Sequence, residues 1–532
     1  MAKKVEIYDV TLRDGTQGEN ISFSIHDKIR ITEKLDDLGV HYIEGGWPGS
    51  NERDEGYFEE AKKLKLKNSE IAAFGSTRRA KSSCDEDPNV QALLGAETPV
   101  VTVVGKSWDF QVTEALKISY EKNLELIYDT IDYLKSRVNK VFFDAEHFFD
   151  GYKSNPEYSL AVLKTVIDAN CDTLVLCDTN GGSLPWEIDA IMQDVNRKLD
   201  NPPLGIHTHN DSEVGVANTL YAVRQGAIQV QGTMNGYGER CGNANLCSII
   251  PNMKLKQGIN CISANNLKKL YEVSHFIHEL TNLPPIKQRP FVGESAFAHK
   301  GGIHVNAVIK NSATYEHIKP EVVGNRRRVL ISDLSGRSNI IYKAKELGIK
   351  LEQDDKRIHQ ILKELKNLEN RGYEFEGADA SFELLVRKAL GMYKKHFYVK
   401  SARTIVEKRT EEEEPITEAT VVVKVDGIEE HTAATGNGPV NALDKALRKA
   451  LEKFYPSLRD LRLKDFRVRV VSSQMGTDSV VRVLIESGDG GDNWSTVGVS
   501  QNLVEASWKA LVDSLDYKLL KDEANHKLKF AN

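Results

Sequence analysis

Residue types that bind divalent cations recur in three short strings of this 532-residue chain. Asp14 lies in RDGTQ (Arg13–Gln17), His207 and His209 in HTHND (His207–Asp211), and Asn243 in GYGERCGNAN (Gly236–Asn245). Carboxylate, amide oxygen and imidazole nitrogen together suit a hard-to-borderline divalent ion. The two histidines close the apolar run Pro203–Ile206. Residues i and i+2 of a strand face the same side, so both rings can reach one ion. An ion with so few protein ligands keeps open positions, where it polarises a substrate carbonyl or activates a water. Arg13, next to Asp14, adds a permanent charge whose fork fits a carboxylate or a developing enolate oxygen. Glu146 and Thr179 can anchor a small polar substrate from the opposite side.

Such residues need a frame that gathers them. From residue 5 to about 280, short β-rich runs alternate with amphipathic helical stretches such as His26–Leu38, Leu116–Lys135 and Glu213–Gln225. The expected strands are Glu6–Val10, Tyr42–Gly46, Ile71–Gly75, Val100–Val104, Lys140–Ala145, Thr173–Cys177, Leu204–His207 and Ile228–Gly232. Eight β/α units in that length predict a closed (β/α)8 TIM barrel over residues 1–280. Asp14, Glu44, Glu146, Thr179, His207, His209 and Asn243 all fall at or just past the C-terminal ends of these strands. In a barrel that is the face where the loops converge on a site.

Residues 281–410 read as helical linker subdomains, with Asp354–Arg371 an amphipathic helix striped by Ile358, Ile361, Leu362, Leu365 and Leu368. The acidic run Glu411–Glu414, followed by Pro415, reads as an exposed linker. Residues 416–532 read as an α+β unit with an internal repeat. The alternating strands Thr417–Val425 and Val480–Glu486 each lead to a helix carrying A-x-x-K-A-L, at Ala442–Leu447 and Ala506–Leu511. This unit lacks the clustered catalytic groups of the barrel and reads as a binding or assembly module.

The formal net charge of −6 offers no basic footprint for nucleic acid or an anionic membrane. No apolar run approaches the ~20 residues that span a bilayer. The opening Met-Ala-Lys-Lys runs straight into Val5–Val10 without room for a signal peptide, and the six cysteines form no CxxC pair. A cytoplasmic protein with reduced thiols is the expectation.

The strings RDGTQ, DTNGG (Asp178–Gly182), HTHND and GYGERCGNAN resemble the barrel metalloenzymes of the isopropylmalate synthase and homocitrate synthase family. AFAHKGGIHVNA (Ala296–Ala307) is similar to that family's linker, and TGNGPVNALDKAL (Thr435–Leu447) to its C-terminal effector domain. GYEFEGADASFELLVRK (Gly372–Lys388) resembles the members that use pyruvate. The resemblance implies a Claisen-type condensation of acetyl-CoA with pyruvate, followed by thioester hydrolysis. It implies a metal on Asp14, His207, His209 and Asn243, with Mg or Mn favoured over Co or Zn because exchangeable substrate oxygens complete the site. Arg13 would stabilise the oxyanion, Thr179 hold the ketoacid carboxylate, and Gln17 and Glu44 shape the pocket. The general base would be His304, oriented by Glu146 with Tyr315 close by, the linker of one subunit closing over the partner's barrel in a homodimer. Asn306 departs from the acidic residue that the resemblance implies two positions after His304, and an asparagine does not accept a proton as that acid would. Isoleucine is the implied feedback inhibitor at the effector domain. Two alternatives stay open: the same chemistry on 2-oxoisovalerate, and a non-catalytic amino-acid sensor.

Overall fold

The computed structural model describes residues 4–281, 283–352, 355–471 and 479–529. It divides into two compact units, Met1–Phe297 with Ile318–Arg327, and Ala298–His317 with Arg328–Asn532. In the first unit eight parallel strands close in chain order: β1 (Glu6–Asp9), β2 (Tyr42–Gly46), β3 (Glu70–Ser76), β4 (Val100–Lys106), β5 (Lys140–Glu146), β6 (Thr173–Asp178), β7 (Leu204–Thr208) and β8 (Gln229–Gly232). β1 pairs with both β2 and β8, placing Tyr8 opposite Tyr42 and Ile7 opposite Val230. The expected TIM barrel is therefore present, with strand ends shifted by a residue or two. β5 continues through Glu146, so that side chain stands on the strand itself rather than beyond it.

Helices wrap the barrel for local reasons that the sequence carries. Ile25–Leu38 starts at a capping box: the Ser24 hydroxyl accepts from the Asp27 N–H, and the Asp27 carboxylate accepts from the Ser24 N–H. It buries Ile31, Leu35 and Leu38 on the strands and ends at Gly39, whose φ of 87° is open to glycine.

In the second unit the two-residue strands β9 (Ala298–His299) and β10 (Arg328–Val329) pair beside helices Gly302–Lys310, Arg337–Glu346, Arg357–Asn370 and Asp379–Ala389. The amphipathic helix thus starts at Arg357 and not at Asp354, which lies outside the described residues. The repeat appears as two β-β-β-α halves. One is β11 (Tyr398–Glu407), β12 (Ile416–Val425), β13 (Ile428–Gly436) and helix Pro439–Leu451. The other is β14 (Arg462–Val470), β15 (Val481–Gly488), β16 (Asn493–Ser500) and helix Leu503–Lys529. β11 pairs antiparallel with β12 along its whole length, from Tyr398 opposite Lys424 to Glu407 opposite Ile416. Glu411–Glu414 is therefore a hairpin loop inside one sheet and not an interdomain linker; an exposed acidic run fits a hairpin tip as well as a tether. Val497 and Val499 of β16 share a core with Ile358, Ile361, Leu365 and Phe382, so the second half is continuous with the helices before it.

The barrel lumen is layered by the two-residue period of its strands. Tyr8, Tyr42, Val100 and Phe142 fill it with an aromatic plug, ring centroids 5.1–6.0 Å apart. Two residues further along the strands the inward positions turn polar: Glu44, Thr102, Asp144 and, from β8, Gln231, all buried. The end of β2 is clamped from outside. The Lys28 ammonium donates to Asp54 Oδ1 at 2.5 Å and to the Gly45 carbonyl at 3.0 Å, while the other Asp54 oxygen accepts from the Trp47 N–H at 2.9 Å. Removing one partner of a buried ion pair leaves the other charge uncompensated. Lys28→Met is thus expected to destabilise the barrel by about 3–5 kcal/mol in a denaturant melt; a melt like that of the parent would show that the clamp carries no load.

Candidate active site

Asp14 follows β1 in the turn that leads to the short helix Gly15–Gln17, His207 lies in β7, and His209 follows directly after its end. Their ligand atoms converge: Asp14 Oδ2 is 3.5 Å from His207 Nε2 and 3.9 Å from His209 Nε2, and the two Nε2 atoms are 3.3 Å apart. One oxygen and two nitrogens lie within 4.8 Å of one another on buried side chains, a cluster able to hold a metal ion. Asn243, bridged to His209 by backbone pairing, donates its amide N–H to Asp14 Oδ1 at 3.1 Å. Its Oδ1 is buried and has no hydrogen-bond partner among the described residues, as is true of His209 Nδ1. Orphaned buried acceptors are uncommon in native proteins, and an amide oxygen beside a carboxylate and two imidazoles fits a divalent cation. The residues present therefore fit the expected group.

Arg13 binds across the rim. Its Nε donates to Glu44 Oε2 at 2.5 Å, its Nη1 to Asp14 Oδ2 at 3.1 Å, and its guanidinium lies 3.8 Å from the centroid of the Phe74 ring. Glu44 Oε1 accepts from the Tyr8 hydroxyl at 2.8 Å. These contacts explain opposite pKa shifts a few ångströms apart. Burial raises Asp14, but Arg13 and the two imidazoles outweigh it and hold the carboxyl at about 2. Burial, with Glu44 close by, pushes Asp144 up to about 8. Burial, together with His207, presses His209 down to about 4, leaving a neutral ring whose lone pair is free at pH 7.

A cavity of about 650 Å³ opens on this rim and reaches Gln17, Phe74, Glu146, Thr179 and both histidines. The Thr179 hydroxyl accepts from the His147 N–H at 2.8 Å, which leaves its own proton to donate. Glu146 is held by the Lys106 ammonium. Arg240 donates to the Thr179 carbonyl at 2.8 Å and to Asp211 at 2.7 Å. His304 and Tyr315 belong to the second unit, on and just after helix Gly302–Lys310. Both are exposed there, their ring centroids 4.4 Å apart. The fold thus brings together every barrel residue expected at the site, and separately pairs the two linker residues.

Lys106, Asp144, Gln231 and Arg240 also touch this constellation without having stood out in the sequence. The signal for two of them is present: Asp144 and Gln231 sit at inward positions of expected strands, Asp144 two residues before Glu146. Lys106, two residues past the expected end of its strand, and Arg240 have no such flag, since their importance comes from a neighbouring strand or loop.

Residues 4–277 match the HMGL-like family model, 291–373 the homocitrate synthase post-HMGL domain-like model, and 376–519 the LeuA allosteric (dimerisation) domain. The (R)-citramalate synthase of Geobacter sulfurreducens is 60% identical over 98% of both chains. That of Aquifex aeolicus is 56% identical over 98% of this chain and 99% of its own. The 2-isopropylmalate synthase of Methanocaldococcus jannaschii is 32% identical over 98% of this chain and 96% of its own. Among the described residues no helix is long and apolar enough to cross a membrane.

A buried carboxyl of β1, on the side away from the lumen residues Tyr8 and Val10, gives the barrel a pH signature. Burial raises Asp9 from 3.8 to about 7, against the opposing hydrogen bonds from Thr11. Between those values the folded state holds a proton that the unfolded state has lost, so this contribution to stability falls as pH rises through the window and is flat above it. Asp9→Asn is expected to lose less melting temperature than the parent between about pH 4 and 7; an equal slope in both would contradict the assignment.

Proposed function

We propose that this chain, which belongs to the (R)-citramalate synthase family of HMGL-like enzymes, condenses the acetyl methyl of acetyl-CoA onto the keto carbon of pyruvate and hydrolyses the thioester to citramalate and CoA. The observation that carries the reading is the convergence of Asp14, His207, His209 and the unpartnered Asn243 oxygen beside Arg13, in a chain 60% identical to a citramalate synthase. Asp14, His207, His209 and Asn243 would hold a divalent cation, Mg or Mn rather than Co or Zn given the oxygen-rich site that substrate completes. Bound there, it supplies Lewis acidity to a keto oxygen.

The remaining work falls to side chains of this protein. The Thr179 hydroxyl, its acceptor side already used by His147, donates to the pyruvate carboxylate. The Arg13 fork, pre-set by Glu44 and stacked on Phe74, needs no reorganisation to meet the oxyanion that develops as the enolate attacks. Gln17 and Glu44 shape the pocket floor and edge. His304, with Tyr315 against its ring, is the proposed base for the acetyl methyl proton, and Glu146 its orienting acid in a homodimer where the linker of each copy closes over the barrel of the other; an imidazole is suited to that step.

The C-terminal unit we assign to isoleucine feedback and to pairing of two copies. Its family match and the exposed Tyr398, Ile405 and Val406 on β11 and Val468 and Val470 on β14 support a homodimer built through these sheets. The formal net charge of −6, and the lack of a membrane-long apolar helix among the described residues, give no argument for nucleic acid or membrane, and we place the enzyme in the cytoplasm.

Release of free thiol from acetyl-CoA tests the reaction. Pyruvate, 2-oxoisovalerate, 2-oxobutyrate, glyoxylate and 2-oxoglutarate are offered in parallel, with Mg or Mn and after chelation. Metal-dependent turnover with the highest kcat/KM on pyruvate is the expected result. Preference for 2-oxoisovalerate would transfer the chain to the isopropylmalate reaction, a discrimination of about 1–3 kcal/mol per methylene in an apolar pocket. Absence of thiol release with every ketoacid would leave the sensor reading. In the same assay isoleucine, but not valine, is expected to inhibit the full-length chain, and unchanged turnover at saturating isoleucine would remove the effector assignment. Full-length protein is required, because cutting at 416 would divide β11 from β12.

A further inference from the structure

We propose that Gln231 is a positioning residue that sets the tautomer of His207 and so makes the rim ready to accept a cation. The inference rests on the reading that Asp14, His207 and His209 hold that cation. His207 on β7 and Gln231 on β8 are register partners of adjacent strands, and both side chains are buried in the lumen. Gln231 Oε1 lies 2.8 Å from His207 Nδ1, and Gln231 Nε2 donates to Asp144 Oδ1 at 3.0 Å.

An amide has one accepting end and one donating end. With its NH2 end taken by Asp144, Gln231 presents oxygen to Nδ1, and that nitrogen must carry the ring proton. The lone pair of His207 then sits on Nε2, the atom that faces Asp14 and His209. A flipped amide would set its oxygen against Asp144, a pairing open only to the protonated acid, and would offer an N–H to Nδ1, moving the ring proton to Nε2; the orientation in the structure, with the NH2 end on Asp144, is the opposite one. That tautomer cannot ligate from Nε2. His209 has no comparable device: its Nδ1 is buried without a partner among the described residues. The two imidazoles are therefore unequal. His207 is oriented by the protein before any ion arrives, whereas no described side chain orients the His209 ring through Nδ1. Partners behind a ligating histidine are commonly worth about 10–100-fold in metal affinity.

Two measurements on the full-length, metal-free protein test this. The first is the 15N spectrum of histidine-labelled protein, with His207 assigned through His207→Gln. An Nδ1–H tautomer is expected, and an Nε2–H tautomer overturns the proposal whether or not any variant folds. The second is Mn2+ affinity by electron paramagnetic resonance for the parent, Q231L and the double variant Q231E/D144N. The double variant restores the order of groups: a carboxylate at position 231 accepts from Nδ1, and an amide at position 144 donates to that carboxylate. Q231L is expected to bind Mn2+ about 10–100-fold more weakly, and the double variant close to the parent. Equal affinity in parent and Q231L would overturn the proposal while leaving the cation site intact. No Mn2+ binding by the parent would instead remove the cation reading on which it rests.

Discussion

The site turns on one guanidinium. Arg13 bonds Glu44 on one side and Asp14 on the other, and both carboxylates are buried. Without a fixed positive charge between them, two acids would face each other in a medium that screens poorly. One of them would then take up a proton, and a protonated Asp14 could not serve the proposed cation. Arginine suits this place because its fork meets two acceptors at once and it does not lose its charge. The same fork, already bonded and stacked on Phe74, is what a developing oxyanion would meet. On the proposed reaction, one side chain would thus serve both the stability of the site and the oxyanion contact.

Beneath the rim the barrel passes from apolar to polar within two residues per strand. Tyr42 becomes Glu44, Val100 becomes Thr102, and Phe142 becomes Asp144. The aromatic plug seals the lower lumen, so the acids above it lie far from bulk water on every side but the cavity mouth. Burial then raises Asp144, while Arg13 and the imidazoles pull Asp14 the other way. Carboxyls in one lumen end up in different protonation states at neutral pH, which is the condition for one to ligate while another serves as an uncharged hydrogen-bonding group.

Much of this is legible in the sequence. The i, i+2 histidines, the RDG turn and the recurrence of polar residues at strand ends located the rim, because a barrel forces those ends onto one face. What could not be read was lateral. Gln231 is an ordinary polar residue in its own strand, and it matters only because β7 places His207 opposite it. Lys106 acquires meaning through Glu146 on the next strand, and Arg240 through Thr179. The acidic run at Glu411–Glu414 misled for a related reason. Its composition describes exposure, and the pairing of β11 with β12 that makes it a hairpin tip is a long-range fact.

The repeated β-β-β-α halves of the second unit differ in what they join. The second shares its core with the helices that precede it, through Val497 and Val499. The first packs its sheet on helix Pro439–Leu451 and on Trp494, Leu515 and Leu519 from its sister half. A ligand that altered the fit of the two halves would therefore act directly on the helical segment. The central claim, however, concerns the barrel rim, and an anomalous difference map from crystals soaked in Mn2+ tests it most directly. The account predicts a peak within bonding distance of Asp14, His207 Nε2 and His209 Nε2, with the Asn243 oxygen turned toward it. A peak elsewhere in the cavity, or none with the metal present in excess, would contradict it.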